Sequence, residues 1–190
     1  MHLNELYCYY INPDRNAERR EKMNYIYKEG FKEVKRIVYN DSSGDRAIRM
    51  SKAHILALNT ALDNNHYPVL VLEDDAALMR ELPKEFNLDG DLIYWGGSNY
   101  NFGGKPDWRI EDYSEDYKRV FYMLSGHALL YSSRKSILMV LNILEKSILA
   151  NEFNDIALAM ESNKHLFLAP KNGFYFYQDD YTREVTKFDY

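Results

Sequence analysis

The chain has 190 residues and a formal net charge of −5, and its 46% hydrophobic and 28% charged residues are ordinary for a globular protein. It has no long basic run, so a nucleic-acid polymer is not expected as a partner. The single Cys8 excludes an intramolecular disulfide and a cysteine-based zinc site. This length suits one domain, and we expect a single domain over residues 1–190.

The sequence shows no segment that would direct it into a membrane or out of the cell. No apolar run approaches the ~20 residues that span a bilayer, and polar residues interrupt the first twenty positions, where a signal segment would lie. We therefore expect a cytoplasmic protein with no transmembrane segment, for which any contact with a membrane is peripheral.

Short apolar runs alternate with stretches of helical character along the chain. Strands are predicted at residues 6–11, 34–39, 67–72, 91–95, 120–124, 128–131, 166–169 and 174–177. Helices are predicted at residues 15–29, 52–62, 133–149 and 154–163, with Asp14 and Ser51 as caps of the first two. The alternation predicts an α/β, Rossmann-like domain with a mainly parallel central sheet flanked by helices.

The clearest strand, residues 67–72, ends in the acidic segment Glu73-Asp-Asp75. Ligands of open α/β sheets bind outside the carboxyl ends of the strands, and adjacent carboxylates repel one another unless a cation or donors neutralise them. We expect Glu73 and Asp75 to share one side of the chain and Asp74 to point elsewhere. This predicts Asp75 and Glu73 as ligands of Mn²⁺ or Mg²⁺, and Glu73 and Asp74 as contacts of a bound nucleotide. A solvated acidic turn explains the three residues equally well.

The first predicted strand ends in a polar loop that leads to a helix rich in arginine. Tyr10, Ile11, Asn12 and Arg15 are candidate contacts of a nucleotide and its phosphates, because guanidinium groups one helical turn apart can bind phosphate oxygens. The alternative is that Arg15 and its neighbours form a solvated helix surface.

Several later residues carry weaker signals. His127 is a candidate substrate contact and His54 a weaker one, although a histidine in an apolar stretch is more often a packed residue. Asp179 and Asp180 would supply a late metal ligand, touch the acceptor, or form an exposed turn. Residues 98–116 show no clear hydrophobic periodicity, and this predicts a long loop. Loops of this length in a compact domain are usually functional.

The arrangement resembles glycosyltransferase family 25, the sugar transferases of the lipopolysaccharide-biosynthesis type. The family's Leu-Glu-Asp-Asp-Ala segment is intact as Leu72-Glu-Asp-Asp-Ala76. Its first-strand end and the following Glu-Arg-Arg match Tyr10-Ile-Asn12 and Glu18-Arg-Arg20, and its Ser-His pair matches Ala53-His54. Ala53 departs from the family, so the role of that serine is absent here.

The later part of the resemblance is weaker and covers Gly126-His-Ala128 and the helix from Ser133. An aspartate at the start of a later helix matches Asp155, which the resemblance implies as the catalytic base, and a simple helix cap is the alternative. The similarity extends over about residues 5–170 of a chain shorter than typical members. It implies a GT-A fold and an inverting hexosyltransferase-type enzyme. Its substrates would be a nucleotide-diphosphate sugar, expected to be a UDP-sugar, and a glycan or glycoconjugate acceptor.

Two other functions remain open at this point. A Mg²⁺-dependent nucleotidyl- or phosphoryl-transfer enzyme could use the same acidic strand end. Such an enzyme would also need a glycine-rich loop that binds phosphate, or an aspartate nucleophile, at the end of the first strand. That strand ends in Ile-Asn-Pro and offers neither. A non-catalytic nucleotide-sugar-binding domain would share most of the residues that an enzyme needs.

Overall fold

The structure, a computed structural model, describes residues 1–98 and 109–178. Within this part of the chain the strands are β1 Tyr7–Ile11, β2 Glu33–Ile37, β3 Val69–Glu73, β4 Ala76–Leu78, β5 Leu92–Ser98, β6 Arg109–Asp112, β7 Tyr117–Phe121, β8 Leu124–Tyr131, β9 Phe167–Pro170 and β10 Phe176–Gln178. The α-helices are α1 Ala17–Lys22, α2 Arg46–Asp63, α3 Arg134–Ala150 and α4 Asn154–Glu161. Short 3₁₀ helices cover Leu3–Glu5 and Met23–Lys28. None of these helices combines the length and apolar character that a bilayer crossing requires.

The described strands form an eight-stranded sheet in the order β2-β1-β3-β8-β5-β9-β7-β6, beside a two-stranded antiparallel ribbon of β4 and β10. Strand β1 pairs in parallel with β2 and β3, and β5 pairs in parallel with β9. The remaining contacts, which are β3–β8, β5–β8, β7–β9 and β6–β7, are antiparallel. The fold is α/β as predicted, but the sheet is mixed.

The prediction of a mainly parallel sheet is therefore wrong, and the middle of the chain explains why. In the described residues between β3 and α3, several strands follow one another without an α-helix between them. Parallel neighbours need a long crossover connection, whereas consecutive strands without helices usually pair antiparallel. Periodicity shows that a segment is a strand, but it carries no information about the direction of its neighbours.

The helix boundaries follow local chemistry, with one important correction. Helix α3, predicted at residues 133–149, covers Arg134–Ala150, and Ser133 caps it by accepting a hydrogen bond from the backbone N–H of Ser136. Helix α2, however, begins at Arg46, because Asp45 caps it by accepting from the Ala47 N–H. Ser51, the predicted cap, is a buried residue inside α2 whose hydroxyl lies 3.0 Å from that of Ser147 on α3.

The first helix is also shorter than predicted, since α1 covers only Ala17–Lys22 and passes into the 3₁₀ helix Met23–Lys28. Asp14, its predicted cap, instead accepts hydrogen bonds from Arg36 and Asn40, so it joins the ends of β1 and β2.

The sheet is buried on both faces because alternate residues of its central strands enter two different cores. Val69 and Val71 of β3 pack with α2, α3 and α4, whereas Leu70 and Leu72 pack beneath the 3₁₀ helix of residues 23–28 and the β4–β10 ribbon. Central strands that are apolar at every position are typical of a sheet covered on both sides.

Strands β7 and β8 run in the same direction and are separated by only two residues, although they occupy distant places in the sheet order. The chain crosses between these places through a kink in which Tyr122 and Ser125 have φ of 57° and 54°. Residues other than glycine adopt this left-handed conformation at a cost, so the neighbouring structure must hold the kink in place.

A glycine on β5 permits the packing of a buried histidine against the sheet. A Cβ atom at Gly96 would lie 2.5 Å from Nε2 of His127 and 3.0 Å from Cβ of Ala128. We expect Gly96→Ala to lower the free energy of unfolding by about 1–3 kcal/mol, because the buried imidazole would have to move away from the added Cβ. Chemical denaturation measures this change.

A double-mutant cycle with His127→Ala provides the control. If overlap with the imidazole is the cause, Gly96→Ala costs much less in the His127→Ala background. An equal cost in both backgrounds would contradict the explanation.

Candidate active site

A cleft with a volume of about 230 Å³ lies where β1 and β3 end. The carboxyl ends of the parallel strands β1, β2 and β3 meet at one edge of the sheet, which is where open α/β sheets bind ligands. Four segments line the cleft: the chain after β1, the chain after β2, the first half of α2, and the end of β3.

All three carboxylates of the predicted acidic segment line this cleft. Glu73 is the last residue of β3, and Asp74 and Asp75 form the turn into β4. One carboxylate oxygen of Glu73 lies 3.2 Å from Nε2 of His54, which is buried on α2 and also lines the cleft. The structure thus places the weak candidate His54 directly beside the predicted metal ligand Glu73.

Asp74 is buried and bound by three side chains from the segment that follows β1. Its carboxylate accepts hydrogen bonds from Asn12 at 2.8 Å, from Asn16 at 3.1 Å and from Arg19 at 2.8 Å. These contacts occupy both oxygen atoms of Asp74. They tie the end of β3 to the loop after β1.

Asp75 is in a different environment, with a side chain only 10% exposed. Its Oδ2 accepts a hydrogen bond from Gln178 of β10 and lies 3.5 Å from Arg19, but its Oδ1 is buried without a hydrogen-bond partner among the described residues. Burial, together with the charge of Glu73, raises the pKa of Asp75 to about 6, although Gln178 and Arg19 act in the opposite direction. A carboxylate in this state gains from any cation that reaches its free oxygen.

Glu73 and Asp75 fit the binding of a hard divalent ion, since they offer carboxylate oxygens at the edge of a cleft. Within residues 1–98 and 109–178, no group of three or more His, Cys, Asp or Glu side chains is arranged to hold a metal. The protein would therefore contribute these two carboxylates. This suits Mg²⁺ or Mn²⁺ ions, which commonly keep waters and share substrate phosphates.

The residues predicted at the end of β1 separate into different positions. Ile11 and Arg15 line the cleft. Tyr10 points to the opposite face of the sheet, where its hydroxyl lies 3.3 Å from that of Tyr27. Asn12 is fully buried. Its side chain donates a hydrogen bond to Asp74 and accepts one from Arg36. Of these four, the structure brings only Ile11 and Arg15 to the cleft wall.

His127 is 1% exposed and lies behind the cleft, not on its lining. Its Nε2 lies 3.3 Å from the carbonyl oxygen of Phe176, which can only accept, so this nitrogen carries a hydrogen. Burial lowers the pKa of His127 and keeps the imidazole neutral. In this arrangement His127 joins β8 to β10.

Asp155 also lies outside the cleft lining, in the first turn of α4. The helix cap is Phe153, so capping is not the role of Asp155. Its carboxylate accepts from the backbone N–H groups of Ser125 and Ile156, which holds one end of the β7–β8 kink. Burial raises the pKa of Asp155, the hydrogen bonds from the Ser125 and Ile156 N–H groups act in the opposite direction, and the charge of Glu73 raises it.

Sequence reasoning missed the part of the cleft wall that comes from α2 and from the chain after β2. The missed lining residues are Tyr39, Asp41, Arg46, Arg49 and Met50. A helix extended backwards to the cap Asp45 would have placed positions 46, 49, 50, 53 and 54 on one face. Starting α2 at Ser51 concealed this pattern.

Two other predicted features fall partly or wholly beyond the described residues. Asp179 and Asp180 lie outside them, immediately after Gln178. Of the predicted loop 98–116, residues 99–108 lie outside them, and residues 109–112 form β6.

No protein-family model matches the chain, and no curated protein is similar to it in sequence. Among solved structures it is similar to a glycosyltransferase involved in the glycosylation of the major capsid of PBCV-1. The two share 10% sequence identity over 88% of this chain and 93% of the other, with a TM-score of 0.48. A similarity of this extent assigns neither an activity nor a residue role to the present chain.

The raised pKa of Asp75 predicts that its charge destabilises the metal-free protein. A carboxyl whose pKa is higher in the folded state favours folding when protonated, and this contribution is lost as pH rises from about 4 to about 6. We expect Asp75→Asn to be more stable than the wild type at pH 7 by about 1–3 kcal/mol, with the difference disappearing near pH 4. Denaturant titrations across this pH range in chelator measure it.

Asp89→Asn, at an exposed position, is the matched control and should leave the pH profile unchanged. Adding Mn²⁺ should stabilise the wild type and not Asp75→Asn. A variant less stable than the wild type at every pH would show that Asp75 is a structural residue.

Proposed function

We propose that this chain is a glycosyltransferase that moves a sugar from a nucleotide-diphosphate sugar to a hydroxyl group of a glycan or glycoconjugate, with inversion. The observation that carries the proposal is the buried Asp75 oxygen without a partner among the described residues, in a cleft that also contains Glu73 and several arginines. The intact segment Leu72-Glu-Asp-Asp-Ala76, which resembles that of glycosyltransferase family 25, supports the same activity. A UDP-sugar is the expected donor.

In this proposal different residues of the cleft wall bind different parts of the donor. Ile11 offers an apolar contact and Arg15 a guanidinium at the end of β1. Glu73 and Asp75 would hold Mn²⁺ or Mg²⁺, which when bound supplies positive charge to the leaving diphosphate. The pairing of Asp74 with Arg19 and two asparagines keeps this third carboxylate from competing for the same position.

Asp155 is the proposed base that accepts the proton of the acceptor hydroxyl. Its raised pKa makes it a better proton acceptor near neutral pH than an ordinary aspartate. The backbone hydrogen bond from Ser125 orients its carboxylate.

The first test is to titrate the protein with UDP-sugars and GDP-sugars by calorimetry, with Mn²⁺ and with chelator, and to analyse the products by mass spectrometry. We expect Mn²⁺ to tighten donor binding by the wild type, this gain to be largely lost in Asp75→Asn, and the nucleoside diphosphate to be released upon transfer or slow hydrolysis.

Other outcomes identify other functions. Release of a nucleoside monophosphate or inorganic phosphate would indicate nucleotidyl or phosphoryl transfer. Tight binding without turnover in the presence of candidate acceptors would indicate a binding domain. Either result would overturn the proposal.

The role of Asp155 is tested with Asp155→Asn, which keeps the shape of the side chain but cannot accept a proton. We expect turnover to fall by about 10²-fold or more while the donor Kd changes little, because a base acts in the transition state. The amide oxygen of the variant can still accept from the Ser125 N–H, so its stability should stay near that of the wild type. Steady-state kinetics and denaturation are therefore measured on the same variant.

Ser162→Ala is the matched control for a loosened kink, because the Ser162 hydroxyl accepts from the N–H of Tyr122 in the same kink. It should lower stability and leave turnover near the wild-type value. Equal losses of turnover in the two variants would assign Asp155 a structural role only.

A further inference from the structure

The cleft contains three arginine side chains that no acidic group of residues 1–98 or 109–178 neutralises. Arg15 and Arg46 form no hydrogen bond or ion pair with any residue in the described ranges, and both are exposed. Within the same ranges Arg49, which is half-buried, donates only to the backbone carbonyl of Ser42, a neutral acceptor. Three guanidinium charges are thus gathered in one cavity without an ion-pair partner among the described residues.

Of the four carboxylates that line the same cleft, Asp75 lies 3.5 Å from Arg19 and the other three have partners other than Arg15, Arg46 and Arg49. Asp74 is paired with Arg19 and Glu73 with His54. Asp41 accepts two hydrogen bonds from Ser43, and these lower its pKa. None of these carboxylates contacts Arg15, Arg46 or Arg49 at ion-pair distance in the described chain, so this part of the cleft carries an excess of positive charge.

The geometry of α2 connects these arginines with the carboxylates. Arg46, Arg49 and His54 lie on the same face of the helix, since all three line the cleft. With a rise of 1.5 Å per residue, the backbone at Arg46 is about 12 Å along the axis from His54, and that at Arg49 about 8 Å. Long arginine side chains can therefore contact one end of a ligand whose other end reaches Glu73.

The helix N-terminus itself is not the attraction for an anion. The carboxylate of Asp45 caps α2 by accepting from the Ala47 N–H, so a negative charge already occupies that end of the helix. The positive charge that remains available belongs to the guanidinium groups, whose planar pairs of N–H donors match phosphate oxygens.

We propose that Arg46 and Arg49 of α2, together with Arg15 of the loop after β1, form a binding site for a diphosphate group. The site binds the diphosphate through direct guanidinium contacts, so it retains affinity when no divalent ion is present. The inference rests on the proposed function only in naming the diphosphate as that of the sugar donor. In that reaction the same arginines would neutralise charge on the departing diphosphate.

The experiment is calorimetry in chelator with inorganic pyrophosphate, UDP, GDP and UMP, on the wild type, Arg46→Gln and Arg49→Gln. Pyrophosphate tests the site independently of any nucleobase, and the nucleotides show whether the diphosphate belongs to a donor. We expect pyrophosphate to bind the wild type and each substitution to weaken it about 10-fold, with affinity falling as salt rises. UMP should bind more weakly than UDP and lose less in the variants.

Arg134→Gln is the matched control, because Arg134 is an exposed arginine at the first position of α3 just as Arg46 is at the first position of α2. It should leave the affinity for pyrophosphate unchanged. Absence of pyrophosphate binding by the wild type, or wild-type affinity in Arg46→Gln and Arg49→Gln, would overturn the proposal.

The failure of this site and the failure of the proposed function give different results. Arginine-dependent binding of pyrophosphate without sugar transfer from any donor would support the diphosphate site and contradict the proposed transferase activity. Sugar transfer at the wild-type rate in both Arg46→Gln and Arg49→Gln would support the transferase activity and contradict the diphosphate site.

Discussion

The buried carboxylate of Asp74 is the interaction on which the arrangement of the cleft depends. A buried charge is costly unless donors surround it, and here Asn12, Asn16 and Arg19 supply them. Because all three donors come from the segment after β1, the hydrogen bonds fasten that segment to the end of β3. These hydrogen bonds add to the pairing of β1 with β3 and hold the chain after β1 against the turn after β3.

The hydrogen bonds to Asp74 also affect the electrostatic environment of the neighbouring carboxylates. Arg19 lies 2.8 Å from Asp74 and 3.5 Å from Asp75, so its positive charge stabilises the carboxylate of Asp74 more than that of Asp75. Asp75 remains with one hydrogen bond from Gln178 and a raised pKa, while Glu73 meets His54. One carboxylate of this site is thus stabilised by donors while the next is left short of them, an arrangement that costs stability and is common at functional sites.

The kink between β7 and β8 connects the proposed base with the rest of the sheet. Tyr122 and Ser125 adopt left-handed backbone conformations, and α4 holds them through Ser162 and Asp155. A carboxylate with a raised pKa thus also supports a strained segment. Strain of this type is often found near functional sites, where the surrounding contacts compensate its cost.

The amino-acid sequence by itself determined the features that depend on neighbours along the chain. The apolar strand that ends in Glu73-Asp-Asp75 and the long helix from Ser133 follow from hydrophobic periodicity. The edge of the sheet at which the cleft lies follows from the carboxyl end of that strand. Where a local choice existed between two caps, Asp45 and Ser51, the sequence did not show that Ser51 would be buried against α3.

Only the tertiary structure decided the properties that join distant parts of the chain. The mixed direction of the sheet, the burial of His127 and the gathering of Arg15 with Arg46 each bring together residues that are remote in sequence. Asp75 illustrates the physical reason. Its free oxygen and its pKa result from the burial of the turn and from Gln178, more than a hundred residues away, and solvation and Coulomb interactions depend on distance in space rather than along the chain.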